Sequence, residues 1–124
     1  MQCAMLKECS GIDKIYIAIG FTDLRLGIDS LVYLINDQFG LDPLKKGTLF
    51  LFCGRRSDRI KGLCYEGDGF LLLYKRLNMG YRFNWPRTEK EAREMTRPEF
   101  NDLMRGINPY QAGLIKETEL AGIG

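Results

Sequence analysis

Histidine is absent from this chain. With it go every Ser-His and Cys-His nucleophile system and the side chain most used as a general base near neutral pH, which excludes most hydrolase chemistry. Cysteine is scarce: Cys3, Cys9, Cys53 and Cys64 form no Cys-x-x-Cys pair, so a zinc site would need an unusual all-cysteine geometry. Cys53 and Cys64 fall inside apolar, strand-like runs and read as buried thiols. No apolar run approaches the ~20 residues that span a bilayer. The opening MQCAMLKECSG is mixed and partly charged, without the continuous apolar stretch of a signal peptide. The expectation is a cytoplasmic protein with no membrane association, no cofactor and no metal.

What is present is an uneven distribution of charge. The formal net charge of +2 over 124 residues conceals a basic centre between acidic flanks. Residues 44–87 carry 10 basic side chains (Lys45, Lys46, Arg55, Arg56, Arg59, Lys61, Lys75, Arg76, Arg82, Arg87) against 3 acidic ones (Asp58, Glu66, Asp68). Residues 1–43 carry 3 basic and 6 acidic side chains, and residues 88–124 carry 5 and 7. A field of that kind attracts phosphate polymers.

The length suits one domain with a single hydrophobic core. Residues 1–13 read as an irregular leader, and Lys14–Ile19 (KIYIAI) alternates as a short strand. Thr22 is a suitable N-cap, with Asp23 in the favourable first turn. Leu24, Ile28, Leu31 and Ile35 then follow at helical spacing, with Val32 and Phe39 widening the stripe and Gly40 as the stop. From Thr48 the signals turn to strand. Leu49–Cys53, Arg59–Tyr65, Phe70–Arg76 and Tyr81–Trp85 are separated by the polar loop Gly54–Asp58 and by the turns Glu66-Gly67-Asp68-Gly69 and Asn78-Met79-Gly80. Thr88–Met95 and the segment from Thr96 both begin with capping-box spacing, which predicts two short helices, and the tail from residue 109 is weakly patterned. The expected fold is α+β: an antiparallel four-stranded meander, flat or curled into a small barrel, covered by an N-terminal amphipathic helix and followed by short C-terminal helices. The domain is expected to span residues 14–108, with a weakly ordered tail over 109–124.

Three segments, TDLRLGIDSL (22–31), LFLFCGRRSDRIKGLCYEGDGFLLLYKRL (49–77) and RFNWP (82–86), resemble one family: the small TnpB-type accessory proteins encoded by bacterial transposons of the insertion-sequence-66 family. These are distinct from the larger RNA-guided nucleases that share the TnpB name. The resemblance runs over about residues 14–108; Cys64-Tyr65 stands where the family often shows Tyr-Trp. It implies a non-catalytic helper in DNA transposition, with the transposon ends, the element-encoded transposase and a further accessory protein as partners. No catalytic residue carries over from it.

The residues suggest how such a helper would act. Arg55, Arg56 and Arg59 surround a strand-connecting loop and could grip phosphates in bidentate fashion, with Gly54 permitting close backbone approach. Alternatively the loop is a solvated one in which Asp58 pairs with a neighbouring arginine. The spacing lacks the Gly-Lys-Ser/Thr ending of a phosphate-binding Walker loop. Lys61, Lys75, Arg76 and Arg82 extend the basic set, with Lys75, Arg76 and Arg82 expected to be neighbours across two strands. Tyr81, Phe83 and Trp85 alternate onto one face, as base-stacking platform or as core. Arg25 could contact phosphate or pair with Asp29. A metal-dependent nuclease would need Asp58, Glu66 and Asp68 to converge. The leading expectation is a basic β-rich surface that binds DNA or the transposase–DNA complex; the alternative is a module that docks on the transposase without touching DNA.

Overall fold

The computed structural model describes residues 11–87 and 92–105. Its centre is an open five-stranded sheet: β1 (Lys14–Ala18), β2 (Thr48–Cys53), β3 (Arg59–Tyr65), β4 (Phe70–Arg76) and β5 (Ala92–Met95), in the spatial order β4-β3-β2-β1-β5. The consecutive strands β2, β3 and β4 pair antiparallel, with Leu51 opposite Gly62 and Gly62 opposite Leu73. β1 joins β2 in parallel, Ile15 beside Leu49. Its crossover carries α1 (Ile28–Tyr33), which continues as a π-helical turn through Leu34–Gln38 and stops at Gly40. β5 closes the far edge antiparallel to β1, and α2 (Arg97–Arg105) follows it.

Both faces of the central strands are covered, which explains why every residue of β2 is buried and why its sequence, TLFLFC, is a continuous apolar run instead of an alternating one. On one face Leu31 and Ile35 of the helix meet Ala18, Phe50, Phe52 and Leu63, with Leu24, Leu26 and Val32 packed around them. On the other, Phe100, Leu103 and Met104 of α2 join Phe83 and Trp85 over Ile15, Ile17, Leu49, Leu51 and Ile60. Each such side chain contributes about 1.5–3 kcal/mol on leaving water, so two small clusters share the stabilisation that one core was expected to supply.

Four expectations are corrected. Among the described residues the sheet is open and has five strands with a parallel pair, not four antiparallel strands or a barrel. The helix begins at Ile28, with Gly27 at its N-cap, and Thr22 caps nothing. The Thr22 N–H donates instead to the Cys53 carbonyl (2.8 Å), which ties residues 21–27 to the end of β2 as irregular chain. Tyr81–Trp85 is not a strand of the sheet, although its alternation survives: Phe83 and Trp85 are buried while Arg82 and Asn84 are exposed. That segment crosses over a sheet face, held by the Phe83 N–H on the Ser57 carbonyl (2.6 Å), the Trp85 indole on the Ala18 carbonyl (2.8 Å) and the Gly20 N–H on the Pro86 carbonyl (2.8 Å). Finally, the Ala92–Met95 part of the helix expected over Thr88–Met95 is β5; the remainder lies outside the described residues, as do residues 1–10 of the leader and the tail from 109. The capping box of α2 is formed as expected: the Thr96 hydroxyl accepts from the Glu99 N–H (3.3 Å), and the Glu99 carboxylate accepts from the Thr96 N–H (2.9 Å).

Candidate nucleic-acid interface

The loop between β2 and β3 is braced from several sides. The Gly54 N–H donates to the Arg59 carbonyl (3.0 Å) and the Ser57 N–H to the Gly54 carbonyl (2.9 Å). Ser57 sits at φ +61 and is fully buried, a conformation costly for a residue with a Cβ. Its carbonyl takes the Phe83 N–H and its hydroxyl takes the Arg87 guanidinium (3.0 Å), so the surroundings hold it there. A Cβ on Gly54 would stand 3.1 Å from Leu24 Cδ1. The glycine therefore admits the 21–27 segment against the loop, a packing role that its spacing alone did not suggest.

This bracing forms an open cleft of about 640 Å³. Residues 21–25 contribute Phe21, Thr22, Asp23, Leu24 and Arg25; the loop contributes Arg55, Arg56 and Asp58; and the sheet contributes Arg59 and Tyr74. Arg25, 30 positions away from the loop in sequence, thus joins Arg55, Arg56 and Arg59 in one site. Its partner is neither Asp29 nor a bare surface: it is Asp23, which accepts from Nη2 (2.8 Å), from Nε (3.0 Å) and from the Arg25 N–H (3.0 Å). Those bonds, the side-chain ones foremost, hold the Asp23 carboxyl down from its ordinary 3.8 to about 2. Asp58 lies 3.7 Å from Arg59 Nε, too far for a hydrogen bond, and both atoms are buried without a hydrogen-bond partner. The pairing of Asp58 with a neighbouring arginine is thus present but loose. Arg55 and Arg56 have no carboxylate partner among the described residues; Arg55 lies 6.0 Å from the centre of the Phe21 ring.

The sheet register sorts the remaining candidates. Arg59 is directly opposite Arg76, and Lys61 opposite Tyr74, all on the face that carries α1. Two like charges in direct register oppose each other by roughly 0.2–1 kcal/mol, a cost a bound polyanion would relieve. Lys61 turns its ammonium onto the Leu26 carbonyl (3.0 Å). Lys75 points to the opposite face, where its ammonium reaches the Met104 carbonyl (2.9 Å) at the end of α2. Arg82 is exposed on the segment crossing that opposite face. Arg76 is therefore on the other face from Lys75, whose ammonium lies 6.0 Å from the centre of the Phe83 ring on the segment that carries Arg82. Tyr81, Phe83 and Trp85 supply core, not a platform, at Phe83 and Trp85, which are 1% and 3% exposed.

Sequence reasoning missed Tyr74, Phe21 and Arg87. Tyr74 could have been found, since Phe70, Leu72, Tyr74 and Arg76 share a face by strand period. Arg87, whose guanidinium lies 5.2 Å from the centre of the Phe21 ring, is brought in by tertiary structure alone. The carboxylates of the nuclease reading do not converge: Asp58 precedes β3, whereas Glu66 and Asp68 lie past its other end, in a turn closed by the Glu66 N–H on the Gly69 carbonyl (2.8 Å) with Gly67 at φ +99. No group of three or more His, Cys, Asp or Glu able to hold a metal occurs among the described residues. Cys53 and Cys64 are free and buried, and burial pushes the Cys53 thiol up to about 12. No helix among the described residues is long and apolar enough to cross a membrane.

Fold and site together define a small α+β protein whose main cluster of chemistry-bearing side chains is cationic, set in a cleft at one end of a mixed sheet. The chain belongs to the IS66 Orf2-like family, whose model matches residues 13–113, and with that family it has a transposition-associated accessory role. It is 37% identical over 95 residues to the uncharacterized protein y4hO of Sinorhizobium fredii, covering 77% of this chain and 81% of that one. To the uncharacterized protein y4jC of the same organism it is 32% identical over 95 residues, covering 77% and 80%. No solved structure matches it.

Proposed function

We propose that this protein is a non-catalytic accessory factor of DNA transposition that binds the phosphate backbone of DNA, alone or with the transposase, through the arginine cleft. One domain spanning residues 14–108 carries the activity. The observation that carries the reading is the gathering of Arg25, Arg55, Arg56 and Arg59 from three chain segments into one cleft, with Arg76 beside it. Guanidinium groups match phosphate oxygens in a bidentate way, and the energy is electrostatic and independent of base sequence. Helix α1 presents no array of base-reading side chains on a basic face, so positioning rather than base recognition is the task. Lys61, Lys75 and Arg82 lie outside the contact surface in this reading.

The test is binding to labelled duplex carrying the element's terminal repeats, and to scrambled duplex, over a salt series. Affinity should fall steeply with salt and equally for both sequences. Replacing Arg55, Arg56 and Arg59 by Ala should flatten the log–log salt slope by about 2–3, since each phosphate neutralised contributes about 0.9. An unchanged slope in the triple variant sinks the reading. Capture of the transposase by the protein after nuclease treatment, together with no DNA binding at low salt, would establish docking on the transposase in its place.

A further inference from the structure

We propose that the cleft takes an unpaired nucleotide, its base stacked on Tyr74 and its phosphates held by Arg55, Arg56 and Arg59; this deepens the nucleic-acid reading above and rests on it. The first observation is the ring itself. Tyr74 is 55% exposed, although Leu72 and Phe70, which precede it on the same face of β4, pack against the cluster under the helix. Beyond Leu72 the cover ends: Tyr74 and Arg76, the next residues on that face, are both exposed. Tyr74 is thereby left as an open aromatic surface on a rigid strand.

The second observation is what surrounds it. The same cleft is lined by Arg25, Arg55, Arg56 and Arg59, and its 640 Å³ lies within the range that encloses one small ligand, roughly 300–1,000 Å³. A duplex keeps its bases inside the stack and offers such a cleft only phosphates. An unpaired nucleotide offers a base face to the ring as well as phosphates to the guanidinium groups, and every base has such a face. Stacking on an aromatic side chain amid arginines is the common solution for single strands. The ligand class is therefore single-stranded nucleic acid, or a strand end with unpaired bases.

The experiment compares three probes on the full chain: a short labelled oligodeoxythymidylate, the same length of abasic strand, and blunt duplex. Tyr74→Ala should weaken oligodeoxythymidylate binding about 5- to 150-fold, and duplex binding by clearly less. Tyr74→Phe and Tyr74→Trp should retain it, which separates stacking from a role of the hydroxyl or of the fold. The abasic strand should bind the native protein as weakly as oligodeoxythymidylate binds Tyr74→Ala, and Tyr74→Ala should weaken it no further. Duplex binding without preference for the thymidylate strand would overturn this inference and leave the phosphate reading standing. An equal loss on all three probes with Tyr74→Ala would also overturn it. Binding of none of the probes by the native protein at low salt would overturn both.

Discussion

Lys61 and Arg59 lie two residues apart on one strand, and Lys75 and Arg76 are adjacent on the next, yet the two kinds of cation do different things. The lysine ammonium groups are engaged with the carbonyls of Leu26 and Met104, clamping the sheet to the 21–27 segment on one side and to α2 on the other. Arg59 and Arg76 lie opposite each other on one face, and Arg59 shares the cleft with Arg55 and Arg56. A count of positive charge treats all of these alike. The register separates one pair, since odd and even positions of β4 send Lys75 and Arg76 to opposite faces. Lys61 shares the face of Arg59, and there a flexible ammonium closes on a single carbonyl where a guanidinium fork suits phosphate. The basic centre is thus part scaffold and, in the function proposed above, part contact surface.

The comparison breaks most visibly if the arginines of the loop are removed. With Arg55, Arg56 and Arg59 replaced by Ala, DNA affinity at low salt should fall by about 100-fold or more, since each charge-assisted contact contributes about 1.5–3 kcal/mol, as read by fluorescence anisotropy. At Arg55 and Arg56, both exposed, Ala should leave the unfolding free energy within about 0.5 kcal/mol. Lys75→Met should do the reverse. The Met104 carbonyl loses its charged donor, so the denaturation midpoint should drop by the equivalent of about 1.5 kcal/mol, with DNA affinity unchanged within about threefold. If Lys75→Met weakens binding as much as a cleft arginine does, the division between clamp and contact fails.

Arg76 sharpens the comparison from within the cleft face. Since Arg59 faces it in register, Arg76→Ala should raise stability by about 0.2–1 kcal/mol while lowering DNA affinity and flattening the salt slope by about 0.9. Urea titration and the salt series measure the two arms. A variant that is both more stable and a poorer binder is the signature of a charge retained for contact.

How far this was legible depends on whether the cause was local. β3, β4 and the Glu66–Gly69 turn could be read to the residue because strand alternation and turn chemistry act over a few neighbours. The capping box at Thr96 and Glu99 was equally local. The misreadings share the opposite property. Tyr81–Trp85 alternates like a strand, but nothing in its own sequence tells whether a ladder partner exists; its aromatic side chains fill a sheet face from outside. Ala92–Met95 has helical composition and is overruled by pairing with β1, as Ile15 opposite Met95 shows. Thr22 and Asp23 form a plausible helix start whose groups are claimed elsewhere, by the Cys53 carbonyl and by Arg25. The loop arginines were visible as a cluster, whereas Arg25 joins them only because residues 21–27 return to the end of β2.

Asp23 provides the finest test of the cleft. Paired to Arg25, it places a carboxylate on the rim where phosphates are expected, so Asp23→Asn should raise DNA affinity. One exposed charge about 8 Å from a phosphate in water opposes binding by roughly 0.5 kcal/mol, or about twofold. Asparagine keeps an oxygen for the Arg25 N–H, so the local turn should persist. A carboxyl whose pKa falls on folding favours the folded chain above its ordinary value of 3.8 and loses that contribution as pH drops through about 2. The native protein should therefore lose more stability than Asp23→Asn between pH 4 and 2 in acid titration followed by circular dichroism. Between pH 5 and 8 the carboxyl stays ionised and the chain has no histidine to titrate, so the twofold advantage of Asp23→Asn in DNA binding should be flat across that range. An advantage that varies with pH there would mean that the Arg25–Asp23 pair does not set the charge of the cleft rim.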